Sequence, residues 1–146
     1  MKIAIIGEMH PDGWKTLKKY DFKPYEITNF SKENLRKELQ DTDGIILRTA
    51  ANLTSDVLKS CNNIKIIARH GVGYDNVDLK FLNKNKIALG VTGTSNAVSV
   101  AEQVLSSFLF LTKNILLSDQ LTRRGDFKQK SSLPDFFELY KKNVVI

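Results

Sequence analysis

The sequence is short of the side chains that staple or coordinate. It has one cysteine, Cys61, and two histidines, His10 and His70. A single thiol builds no disulfide framework and no thiolate metal site within one chain, and the two histidines have no ligand spacing. Long apolar runs are missing as well. The opening Met1–Gly7 stretch is far too short for a signal h-region or a membrane span, and Val104–Leu111 is interrupted by Ser106 and Ser107. No stripe of basic residues carries interleaved aromatics. The net charge of +6 comes from scattered lysines such as Lys15, Lys18, Lys32, Lys59 and Lys84, which read as solvated helix faces. There is no internal repeat and no low-complexity segment. These absences exclude nucleic acid and membrane as expected partners, leave no metal site, and make a reducing, cytoplasmic compartment the default.

What is present is the balance of an ordinary folded domain: 42% hydrophobic and 26% charged residues in a chain of 146. Short β-branched runs alternate with helical patterns. Strands are expected at Ile3–Ile6, Tyr25–Phe30, Gly44–Leu47, Ile64–Ala68 and Ile87–Val91. Between them, helices are expected over Trp14–Tyr20, from a Ser31 cap to Gln40, from a Thr54 cap to Lys59, and from a cap at Asp75 or Asn76 to Asn85. Such alternation implies right-handed crossovers and an α/β fold: a doubly wound, parallel five-stranded sheet with helices on both faces. Ligands of these sheets bind beyond the carboxyl ends of the strands. Arg48, Arg69 and the turn Gly71-Val72-Gly73 all fall there.

Ser99-Val100-Ala101-Glu102 has the spacing of a capping box. The helix it would open, residues 99–117, is apolar nearly all round and is expected to be buried on more than one side. One small domain struggles to cover it, so a second domain or a second subunit is the natural cover. After Leu121 the chain turns polar and irregular, and Val144–Ile146 reads as a new strand. The expected division is residues 1–126 as one domain and 127–146 as a connector plus the first strand of another.

Ile67-Ala68-Arg69-His70-Gly71-Val72-Gly73-Tyr74-Asp75-Asn76-Val77-Asp78-Leu79 resembles the first-domain signature of the D-isomer-specific 2-hydroxyacid dehydrogenases. Asn96–Glu102 resembles the hinge motif of that family, and Glu138–Ile146 resembles the run into its nucleotide-binding domain. Three motifs in the right order are a specific signal. The resemblance implies a flavodoxin-like substrate domain, closest to the phosphoglycerate dehydrogenase branch. It implies a small 2-hydroxy or 2-keto acid as substrate, its carboxylate lying on the amides of Val72 and Gly73. Arg48 and Arg69 resemble the pair that grips a phosphate. NAD is implied for the complete enzyme but is not expected to bind this chain tightly. The Gly-rich fingerprint and the catalytic arginine, glutamate and histidine of the family would all lie past Ile146, so this chain is expected to contain no catalytic residue and to be inactive alone. His70 reads as structural, and Asn76 and Glu102 as helix-capping residues. The expected assembly is a homodimer, or a pairing with a separate cofactor domain in trans. The alternative is a non-catalytic module that binds a small carboxylate or phosphate, or a protein partner.

Overall fold

The computed structural model describes residues 1–48 and 51–145. Its first ninety-five residues alternate strand and helix: β1 (Lys2–Ile6), α1 (Pro11–Lys19), β2 (Lys23–Ile27), α2 (Lys32–Glu38), β3 (Gly44–Leu47), α3 (Ser55–Leu58), β4 (Ile66–Arg69), α4 (Leu79–Asn85) and β5 (Ala88–Val91). All neighbouring strands pair in parallel, in the order β2-β1-β3-β4-β5. The doubly wound α/β fold expected from the alternation is what forms. The winding reverses between β1 and β3, so the chain ends above these two strands diverge and leave room for a ligand.

Side chains alternate across each strand. Ala4, Ile6, Ile45, Leu47 and Ile67 face a core completed by Leu35 and Leu39, by Val57 and Leu58 of α3, and by Leu82 of α4. α1 packs beside β2. Ile3 and Ile5 are buried, while Ile66 remains 39% exposed.

Several boundaries differ from expectation for local reasons. α1 begins at Pro11, not Trp14, because the Nδ1 atom of His10 accepts from the Asp12 amide and proline suits a first helical turn. β2 ends at Ile27, short of Phe30, because its register is set by pairing Lys2 with Lys23 through Ile6 with Ile27. Ser31 caps α2 as expected, accepting from the Asn34 amide at 3.3 Å. Thr54 stands at the N-cap of α3 but makes no capping hydrogen bond, and its hydroxyl is buried without a partner among the described residues. α4 is capped by Asp78, whose carboxylate accepts from the Phe81 amide at 3.0 Å, and not by Asp75 or Asn76.

Residues Asn96–Ile146 form a second compact unit. It holds α5 (Ala97–Thr112), α6 (Ile115–Arg124) and a 3-10 turn at Phe127–Ser132. The single helix expected over 99–117 is broken at Asn114, which adopts φ 47°. The Ser99–Glu102 capping box does not form. The helix has already started at Ala97, so both residues lie inside it, and Glu102 caps nothing. Within this single chain Val98 of α5 is 72% and Leu111 70% exposed, as expected of a helix that one small domain cannot cover. Its apolar side chains exceed what α6 and the short turn can cover. The boundary expected at residues 126–127 falls inside this unit, between α6 and the 3-10 turn. Asn143–Val145 carry no strand, since a strand needs a neighbour to pair with, and Ile146 lies outside the described residues. Among the described residues no single helix is long and apolar enough to cross a membrane.

Candidate anion-binding site

The carboxyl ends of β3 and β4 are tied together before any side chain is considered. Leu53, after β3, bridges Val77, after β4. The Leu53 amide donates to the Asn76 carbonyl at 2.8 Å, and the Asp78 amide to the Leu53 carbonyl at 3.1 Å. The Asn76 side chain adds a strut: its Nδ2 donates to the carbonyls of Ala51, at 2.8 Å, and Arg48, at 3.3 Å. Asn76 is therefore a brace between two loops and not a helix cap. Its sequence neighbourhood carries no signal of this, because the acceptors lie more than twenty residues away along the chain.

Arg69 ends β4 and is only 7% exposed. Its Nη1 donates to the carbonyls of Leu47, at 3.2 Å, and His70, at 2.6 Å. Its Nε is buried with no hydrogen-bond partner among the described residues. The ion pairs among the described residues do not include Arg69. A guanidinium stays protonated at any working pH. Burying it without an anion is costly, on the order of several kcal/mol, and unmade charged hydrogen bonds add to this. The cation is thus left short of a counter-charge.

Beside it lies a cavity of about 320 Å³ lined by Arg69, Gly73, Asp75 and Asn76. Gly73 stands on its wall, while Val72 next to it is 40% exposed. Asp75 is exposed on the rim and makes no ion pair with Arg69. His70 contributes its backbone: its amide donates to the Leu47 carbonyl at 2.8 Å, and its carbonyl receives Arg69.

Arg48 takes another direction. Its Nη1 donates to the Glu8 carbonyl at 3.1 Å. The side chain lines a second, larger hollow of about 490 Å³ with Glu8, Met9, His10, Pro11, Trp14 and Glu26, over the end of β1. Of the four residues singled out by sequence, Arg69 and Gly73 share one cavity, Val72 flanks it, and Arg48 opens onto a neighbouring one. The geometry at Arg69 can hold an oxyanion. It does not fit a dinucleotide. Gly71-Val72-Gly73-Tyr74-Asp75-Asn76 has asparagine where the phosphate-binding fingerprint needs its third glycine, and α4 starts only at Leu79.

The model of the D-isomer specific 2-hydroxyacid dehydrogenase catalytic domain matches residues 3–139. The D-3-phosphoglycerate dehydrogenase of Sus scrofa is 32% identical over 129 residues, which cover 88% of this chain and 24% of that enzyme. The chain thus spans about a quarter of the length of such curated relatives. Among solved structures, the PH0520 protein of Pyrococcus horikoshii OT3 superposes with a TM-score of 0.82 at 27% identity, covering 95% of this chain and 43% of that one. The NAD+-bound 3-phosphoglycerate dehydrogenase of Entamoeba histolytica gives a TM-score of 0.66 at 30% identity, over 75% and 38% of the two chains.

Proposed function

The chain belongs to the D-isomer specific 2-hydroxyacid dehydrogenase family, and we propose that it supplies the substrate-binding domain of an NAD-dependent member close to phosphoglycerate dehydrogenase. The substrate is 3-phosphoglycerate or a related 2-hydroxy acid, oxidised at its 2-hydroxyl. Residues 1–126, with the hinge helix, form the substrate domain, and residues 127–146 lead into the nucleotide-binding domain. NAD is held by that second domain, in the same polypeptide or in trans, and supplies the hydride acceptor when bound. The acid–base group for the 2-hydroxyl is assigned there too, so this chain alone turns over no substrate.

The observation that carries this reading is the buried Arg69 side chain, which makes no ion pair among the described residues and whose Nε has no hydrogen-bond partner among them. An anionic substrate group in the Gly73–Asn76 cavity supplies the missing counter-charge, and charge-assisted hydrogen bonds to it are about twice as strong as neutral ones. The substrate carboxylate takes the amides of Val72 and Gly73, and the arginines take the phosphate. Arg48 joins only by exchanging its Glu8 carbonyl for the phosphate. That exchange is favourable, because a dianion is a better acceptor than an amide oxygen.

Calorimetric titration of the 146-residue chain with 3-phosphoglycerate tests the proposal. Binding is expected for the unmodified chain. It should be lost in Arg69→Gln and weakened roughly tenfold in Arg48→Ala. Equal affinity in all three chains would remove both arginines from the site.

A further inference from the structure

The turn after β4 is built around a side chain that is not there. Gly71 has φ +150°, in a region that L side chains rarely adopt. A Cβ at this position would stand 2.8 Å from Nη1 of Arg69, 3.1 Å from Cζ and 3.2 Å from Nη2. These three atoms belong to one rigid plane, and that plane is already held by the carbonyls of Leu47 and His70. As the far end of a side chain it can yield, but only by leaving those two carbonyls. Gly73 is a different case. Its φ lies outside that region, and a Cβ there would meet only Asp75 Oδ2, at an ordinary 3.6 Å. The two glycines of one short motif therefore answer to different constraints. Gly73 lies on the cavity wall, and Gly71 makes space for the cation.

We propose that Gly71 is a positioning residue for the anion site: the space of its missing side chain is the seat of the Arg69 guanidinium. With the plane seated there, Nη1 is spent on two backbone carbonyls, and the buried Nε remains without a partner among the described residues. The ligand therefore meets a cation whose orientation is set in advance, and little side-chain entropy is lost on binding. A side chain at residue 71 pushes the plane off both carbonyls and turns a fixed receptor into a mobile one. This inference rests on the reading of Arg69 as the anion receptor.

The test uses the 146-residue chain with inorganic phosphate as probe and the Arg69 Nε–Hε resonance as reporter. Gly71→Ala is expected to move that resonance and to weaken phosphate roughly tenfold or more. Arg69→Gln separates the two claims. If Arg69→Gln still binds phosphate, the reading of the site fails. If Arg69→Gln loses phosphate while Gly71→Ala keeps both the affinity and the resonance, only the role of Gly71 fails. Backbone strain at φ +150° could also unsettle Gly71→Ala, so unfolding is measured in a cycle with Arg69→Lys. The strain is common to both backgrounds, whereas the collision needs a guanidinium. Gly71→Ala should cost clearly more stability beside Arg69 than in the Arg69→Lys background. Equal costs, or failure to fold in both backgrounds, overturn the proposal.

Discussion

Two buried polar atoms lack partners among the described residues, and they are not equivalent. The orphan on Arg69 sits beside a cavity and belongs to a cation. The orphan on Thr54 is a hydroxyl that contributes nothing at its own helix N-terminus. An unsatisfied buried hydroxyl is a net cost, and an isosteric apolar group removes it. Thr54→Val is therefore expected to raise stability by about 1 kcal/mol, read as a shift in the denaturant midpoint at unchanged slope. A loss of stability would mean that the hydroxyl has a partner after all. Cys61 likewise behaves as core. Burial pushes its thiol up to about 11, so it stays neutral and acts as a small apolar side chain at ordinary pH.

Among the elements, α4 carries a pH dependence. The hydrogen bond from the Phe81 amide holds the Asp78 carboxyl below its usual value. A depressed carboxyl stabilises the fold above the unfolded-state pKa, near 3.8, and that contribution is lost as pH falls through the lower folded-state value. Asp78→Asn keeps a capping oxygen but cannot titrate. Melting curves of the two chains should run together at neutral pH, with the unmodified chain falling behind below about pH 4. Parallel curves throughout would show that the cap does not titrate with folding.

The same elements show what the chain order alone makes legible. Gly44–Leu47 and the Ser31 cap were readable to the residue, because an apolar run and a local side-chain bond are both short-range features. β2 was misplaced because its limits come from its neighbour: it takes Lys23 and Pro24 into the sheet through pairing with β1. Proline is tolerated there because β2 is an edge strand. The site was legible as a set of residue types at strand ends. The brace from Asn76, the Leu47 half of the clamp on Arg69 and the turning away of Arg48 depend on contacts across 22 to 40 residues, which no local pattern encodes.

At the scale of the whole molecule the second unit presents more apolar surface than a solitary chain ordinarily leaves in water. Leu105, Leu109, Phe110 and Leu111 of α5 are all exposed, as are Leu116 and Leu117 of α6. Large apolar patches mark association surfaces. A dimer is the expected state in sedimentation at roughly tens of micromolar, and Leu105→Glu with Leu111→Glu should dissociate it. A monomeric unmodified chain would refute self-association through this face.

The strictly parallel sheet also governs the order of events as the chain folds. Each of its strand pairs is closed only after a whole crossover has been looped out, so its contacts are distant in sequence. The contacts of α5 with α6, and of α6 with the turn that follows, are local. Helix formation takes about a microsecond, while non-local pairing slows folding by orders of magnitude. The greasiest helix of the chain can thus form and fray repeatedly, its apolar side chains in water, while the sheet is still searching for its register. During refolding of the whole chain this interval, more than the finished fold, is when the protein is most exposed to aggregation.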